Sequence, residues 1–304
     1  MYRQMVSTFC GKPYIATYYT PAVERGQVVV SVEYTYFSTI DYAIARCCLV
    51  TESSMRVLGT SGSGRVVDTG IDADPTLEGK YVVTNPMCGA VAPLQRDGAA
   101  QDLYPVDQGC IHILPPTMVG DPLAPLVPIL SASPRQLEEL YGREVLVVGR
   151  EIALLPYALY ARRNASRLWI VAKHTLWPDI VGGEHLSIYD TNRRVDVVVI
   201  AEPSPAIAWL ALSMVREGGL AIVYPSTPIT VSLLHIASAR RIRIELIELS
   251  NVVEGLRLLN ELRNTLANRV KLVAFEPGAV LEAPSIAYLR EQRDRDRKPK
   301  RFSK

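Results

Sequence analysis

The segment Glu144-Val145-Leu146-Val147-Val148-Gly149-Arg150-Glu151-Ile152-Ala153-Leu154 carries the reading of the fold. Its first half is an unbroken apolar, β-branched run, the pattern of a strand buried on both faces. A helical stretch follows through Ala161, and a second buried-strand pattern occupies residues 167–172. Residues 196–200 and 220–224 repeat the pattern, with helical spacing over 207–216 between them. Residues 242–248 are a further β-like run. Residues 252–268 form an amphipathic helix with apolar positions at 252, 253, 256, 258, 259, 262 and 266, and 270–274 is a closing strand. Strands alternating with helices imply right-handed crossovers and a doubly wound parallel sheet.

Upstream the texture differs. Residues 28–34 are β-branched and bounded by Gly26, 65–68 follow a Gly/Ser cluster, and 81–83 follow Glu78-Gly79-Lys80. Turn residues recur at short spacing, as in a sandwich or partly open barrel. Pro116, Pro122, Pro125, Pro128 and Pro134 mark a connector with short helical turns.

The 304 residues allow two domains or one large one, and a 48% hydrophobic composition excludes general disorder. A net charge of +2, from 33 basic and 31 acidic residues, excludes a strongly basic nucleic-acid protein and a polyacidic one. Seven of the 33 basic residues are lysines, leaving 26 arginines, a bias suited to ion-pair-rich surfaces. No run reaches the roughly 18–20 apolar residues of a membrane span, and no apolar export signal opens the sequence. Cys10, Cys47, Cys48, Cys88 and Cys110 are read as small buried hydrophobes in a reducing, cytoplasmic setting.

Five segments, in order, resemble the medium-chain dehydrogenase/reductase superfamily, the zinc-type alcohol dehydrogenases. Residues 59–70, GTSGSGRVVDTG, are similar to its G-H-E-x-x-G-x-V-x-x-x-G signature. Residues 79–86, GKYVVTNP, resemble its G-D-R-V-V-x-x-P strand. The stretch from Asp97-Gly98 to Leu114-Pro115 resembles the segment ending the GroES-like domain. Asp196-Val197-Val198 and Arg216-Glu217-Gly218-Gly219 resemble D-V-V and R-P-G-G elements of the cofactor domain. The resemblance spans most of residues 20–275. It implies an α/β protein: a GroES-like β-rich domain at 1–125, to which 250–285 return, plus a Rossmann-like doubly wound parallel sheet domain at 140–245. A charged tail, 290–304, follows.

The residues that do chemistry in that family are replaced. At the positions matching its zinc ligands this sequence has Ser38-Thr39-Ile40-Asp41, Thr60-Ser61 and Ala124. Neutral hydroxyls and an alanine do not make the three-ligand set of a catalytic zinc, so no zinc is expected. Cys88 alone remains of the four thiolates of the structural zinc lobe. The G-x-G-x-x-G dinucleotide fingerprint reads Gly149-Arg150-Glu151-Ile152-Ala153-Leu154, which sets a carboxylate where phosphates pass. At the second strand's end, Lys173-His174 stands where NAD-selective members carry an acid, and suits a 2′-phosphate or a merely solvated strand end. Only 22 positions, 174 to 195, separate Lys173 from Asp196, so part of the adenosine-side unit is trimmed.

Two functions follow from different classes. The favoured one is a pseudoenzyme without zinc or cofactor: an alcohol dehydrogenase-like binding or assembly subunit. The alternative is a zinc-independent NADP(H)-dependent oxidoreductase reducing a carbonyl or activated alkene. Its cofactor would lie on Gly149, Arg150, Lys173 and His174, with Ser38, Asp41 and Thr60 as the catalytic candidates. His185 with Asp179 or Glu184 is a weaker candidate proton carrier than an idle loop histidine. The resemblance implies a homo-oligomer, or a subunit of a larger assembly, with 220–224 and 242–249 as the segments expected to supply a homodimer contact. The tail, with eight basic and three acidic residues, is a candidate for salt-dependent phosphate contact with nucleic acid, though mixed charge more often solvates.

Overall fold

The computed structural model describes residues 1–8, 12–49, 51, 53–175, 178–190, 192–228, 230–282 and 284–289. The charged tail, and with it the nucleic-acid expectation, lies outside the described residues, as does Cys10.

The β-rich part opens with β1 (Tyr2–Thr8) and β2 (Tyr14–Tyr18), followed by the long β3 (Gln27–Phe37) and helix α1 (Thr39–Ala45). Then come β4 (Met55–Val57), β5 (Ser61–Thr69) and β6 (Tyr81–Thr84), the small hairpin β7 (Met87–Cys88) and β8 (Ala90–Val91), β9 (Leu103–Asp107) and β10 (Ile111–Ile113). Strand β3 is the hub: β5 and β9 both pair with it antiparallel. Val28, Val30 and Val32 of β3 point one way into a core with Val66, Val82, Tyr104 and Val106, the period-2 arrangement of a half-buried strand.

Helices α2 (Leu126–Ile129) and α3 (Pro134–Glu138) bridge to the second part. Its elements are β11 (Glu144–Gly149), α4 (Leu155–Asn164), β12 (Arg167–Thr175), α5 (Pro178–Val181), β13 (Glu184–His185), β14 (Val195–Ala201), α6 (Pro205–Ser213), β15 (Val215–Val223), α7 (Val231–Ala239) and β16 (Arg243–Leu246). Strand order is β13-β12-β11-β14-β15-β16, and every pairing is parallel. That is the doubly wound order 3-2-1-4-5-6. Alternation explains the continuous apolar runs: Val145 and Val147 enter one core, Leu146 and Val148 the other. Val197 and Val199 against Val198 and Ile200 do the same. The short α5 and two-residue β13 are what the trimmed adenosine-side spacing leaves.

Helix α8 (Val252–Arg269), β17 (Lys271–Ala274) and β18 (Ser285–Tyr288) complete the chain. Asn251 caps α8 by accepting from the Glu254 N–H, and Leu258, Leu259 and Leu266 line its buried face. Strand β18 then pairs antiparallel with β3 (Ser285↔Phe37) and parallel with β17, so the chain's last described strands join the β-rich sheet. A single core runs across both parts, from Tyr36, Phe37 and Ile40 through Leu126 and Ile129 to Val147 and Leu259.

Several sequence expectations are corrected. Helix α6 ends at Ser213, and Val215 and Arg216 already belong to β15. Arg216 bonds Asp196 at 2.5 Å and Glu144 at 2.7 Å, which makes the D-V-V and R-E-G-G segments one ion-paired brace at the sheet's base. Residues 220–224 cannot form a dimer edge, because β15 is hydrogen-bonded on both sides; β16 is the edge. The cysteines are not inert hydrophobes. Cys88 and Cys110 form a disulfide that ties the β7–β8 hairpin to the turn before β10, Cys47 is also disulfide-bonded, and Cys48 is an exposed free thiol. Closing a loop with a sequence separation of 22 stabilises the fold by about 3 kcal/mol in the chain-entropy account. Disulfides persist in oxidising surroundings, so these cysteines give no support to a reducing compartment. No helix among the described residues is long and apolar enough to cross a membrane.

Candidate functional site

Open parallel sheets take ligands at the carboxyl ends of their strands, at the switch in strand order. Here that place faces α1 and the β4–β5 turn, and the seam between them is lined with buried polar side chains.

Ser38 and Asp41 sit there because they cap α1. The Ser38 hydroxyl accepts from the Ile40 N–H at 3.0 Å, and the Asp41 carboxylate accepts from the Ser38 N–H at 2.8 Å. This reciprocal capping box satisfies donors a helix start leaves open. Asp41 also accepts from the Gly59 N–H at 2.6 Å and the Thr60 hydroxyl at 2.7 Å, and Ser38 and Thr60 hydrogen-bond each other. The structure thus brings Ser38, Asp41 and Thr60 into one cluster, all buried. Ser61 is committed elsewhere, donating to the Thr84 carbonyl at 2.8 Å, and Ala124 lies in the apolar core. Among the described residues no group of three or more His, Cys, Asp or Glu is placed to hold a metal.

Glu151 comes from the other side of the seam, just after β11. Its carboxylate is fully buried and turns toward α1. One oxygen accepts from the Tyr36 hydroxyl and from the Ile152 N–H at 2.9 Å; the other accepts from the Thr39 N–H and the Thr39 hydroxyl, both at 2.8 Å. The Ile152 amide, at the start of the turn leading to α4, is therefore engaged by the protein's own carboxylate. Tyr224, at the end of β15, is also fully buried; its hydroxyl faces Ser38 but closes no hydrogen bond, and neither does the buried Ser226 hydroxyl.

Burial dominates the electrostatics. It pushes the Asp41 carboxyl up to about 6, against the donors from Thr60, Ser38 and Gly59 that favour the anion. It raises Glu151 as well, opposed by Tyr36, Thr39 and Ile152. The Tyr36 and Tyr224 hydroxyls are held well above the ordinary phenol range, by burial first and by the Glu151 charge second.

Of the other positions singled out in the sequence, Gly149 is buried at the end of β11 with φ +131°. Arg150 is exposed. Lys173 and His174 fall in β12, and their side chains lie outside the described part. His185 is exposed, while Asp179 is held by Arg269 and Glu184 by Arg167, so neither acid is poised to serve it. Sequence reasoning passed over Tyr36, Thr39 and Tyr224. The Ser38-x-x-Asp41 spacing is a capping signature that flags two members of the cluster, but nothing local marks Tyr36 or Thr39 as partners of Glu151.

The structure aligns over almost its whole length with solved dehydrogenases. A thermostable alcohol dehydrogenase from Pyrobaculum aerophilum matches with a TM-score of 0.66 at 14% identity, covering 94% of this chain and 99% of that one. The chain has the fold of the zinc-type alcohol dehydrogenases. Among other structures sharing this medium-chain dehydrogenase fold is Haloferax mediterranei glucose dehydrogenase in complex with NADP, Zn and gluconolactone, with a TM-score of 0.66 at 13% identity, covering 95% of this chain and 99% of that one. Galactitol-1-phosphate dehydrogenase from Escherichia coli matches with a TM-score of 0.64 at 14% identity, covering 94% and 99%. No family model and no curated protein sequence matches the chain. These alcohol dehydrogenase-like neighbours are oxidoreductases by name, and at such identities they share the fold alone.

Proposed function

We propose that this chain is a pseudoenzyme, a binding or assembly subunit on the alcohol dehydrogenase fold. The observation that carries the reading is Glu151. A dinucleotide fingerprint works by offering free backbone amides and a close glycine-lined approach to a pyrophosphate. Here the Ile152 amide is taken by Glu151 itself, and that carboxylate is bonded across the seam to Tyr36 and Thr39. A dinucleotide does not fit these residues as they stand: its phosphates would meet a buried carboxylate that already holds the Ile152 amide. Zinc does not fit either. The hydroxyls of Ser38 and Thr60 are spent on each other and on Asp41, and Ala124 offers no ligand atom.

Calorimetric titration of ligand-stripped protein with NADPH and NADH tests the reading. No heat of binding is expected up to millimolar cofactor. Micromolar affinity would overturn it in favour of the zinc-independent NADP(H) reductase, with Arg150, Lys173 and His174 as the first residues to substitute.

The partner on this reading is a second copy, docked through the β16 edge. Among the described residues no strand pairs with its outer side, and open edges recruit strands. Beside it lies a cleft of about 820 Å³, lined in part by Met87, Val91, Leu246 and Leu249. Light scattering is expected to give twice the 33.6 kDa chain mass, falling to one chain in Ile244→Pro; a wild-type monomer at high concentration would rule this interface out.

A further inference from the structure

Four donors converge on the Glu151 carboxylate, and all are neutral: the Tyr36 hydroxyl, the Thr39 N–H, the Thr39 hydroxyl and the Ile152 N–H. Two oxygens with two donors each form a complete shell for a carboxylate. Three of the donors belong to β3 and α1, while Glu151 itself follows β11 across the seam. Among the described residues the titratable groups that feel its charge most are Tyr36, Tyr224 and Asp41, so its counterweight there is hydrogen bonding. An anion without donors is not tolerated in such a place, and donors without an anion are scarcely better.

We infer that the Tyr36–Thr39–Ile152 donor cluster is an anion cradle whose resident ligand is the protein's own Glu151, which straps the β-rich part to the parallel sheet. The inference deepens the non-catalytic reading and rests on it in one respect, that the closed seam is the working state. The chemical class the cradle takes is a small monocarboxylate. Glu151→Ala retains Cβ and removes a CH2–COO⁻ group, which is acetate in all but one hydrogen. The four donors would then lie around an acetate-sized vacancy. Acetate that binds only the folded variant stabilises it by mass action.

Melting temperatures of wild type and Glu151→Ala are compared in sodium acetate and in sodium chloride at equal ionic strength. The variant is expected to melt about 5–10 °C below wild type in chloride, and to recover about half of that in acetate. Wild type, its cradle filled, should show no preference between the salts. Thr39→Val combined with Glu151→Ala should lose the recovery. Small-angle scattering should show the single variant expanded in chloride and compact again in acetate. Equal melting of Glu151→Ala in both salts, or equal acetate stabilisation of wild type, overturns the inference. Should Glu151→Ala fail to fold, Glu151→Gln decides: it keeps the shape but turns an NH2 toward donors, so it must melt below wild type, and a wild-type melting point overturns the strap. Cofactor titration of the wild type tests the non-catalytic reading separately.

Discussion

Gly149→Ala is expected to destabilise the protein by on the order of 4 kcal/mol, whether or not any cofactor binds. The residue sits at φ +131°, a region that L side chains rarely adopt, and an added Cβ would lie 2.1 Å from the Ala201 carbonyl oxygen. That oxygen is backbone of β14, the parallel neighbour of β11 in register Gly149↔Ala201, and cannot turn aside as a side chain could. Relief requires β11 and β14, both central and buried, to separate at the carboxyl end of the sheet. Gly218→Ala supplies the comparison: φ is also positive, at +73°, but nothing lies within 4 Å, so only the backbone conformation is penalised, by about 1 kcal/mol. Urea denaturation of the two variants measures the difference. Equal losses would show that Gly149 is not a packing residue.

Asp41 should make wild-type stability rise as pH falls from about 6.5 to 4. Its ordinary value is 3.8 and burial lifts the folded value to about 6, so the unfolded chain releases this proton more readily than the folded one. The associated stability is fully present below the unfolded value and is lost as pH rises through the folded one, amounting to about 3 kcal/mol across the window. Glu151, also raised, adds in the same direction. Asp179, Glu184, Glu245 and Glu254 are lowered by their arginine partners and act oppositely, so the Asp41 contribution is isolated by difference. Asp41→Asn is expected to lose about 1–3 kcal/mol at pH 7, because its NH2 must face the Gly59 or Ser38 N–H. It should also lack the wild-type slope between pH 6.5 and 4. Parallel stability curves for the two proteins would sink the assignment.

The parallel sheet was legible because each of its central strands is buried on both faces, which writes itself as an uninterrupted apolar run. The amphipathic α8 was legible for the complementary reason, one face in and one out. Helix α7 was not: Val231–Ala239 has no charged residue to set off a polar face, although Leu234 and Val231 are exposed. Strands β1 and β2 were missed as well, since their alternation is broken by polar and aromatic residues. The disulfide between Cys88 and Cys110 defeated a reading based on compartment, because spacing does not say which sulfurs meet.

Ser38, Asp41 and Thr60 were reached through the resemblance alone, and their roles as cap, anchor and hydroxyl partner emerged only in three dimensions. Sequence alone determined the β-rich and doubly wound halves, and it placed a hydroxyl at Ser38 and Thr60, a methyl at Ala124 and a carboxylate at Glu151 just after a buried strand. Those are properties of adjacent residues and of period, which local sterics and burial impose on every chain alike. Only the tertiary structure decided where the Glu151 carboxylate goes. Its partners Tyr36 and Thr39 lie 115 and 112 positions away, and a buried charge takes whichever donors the fold carries to it.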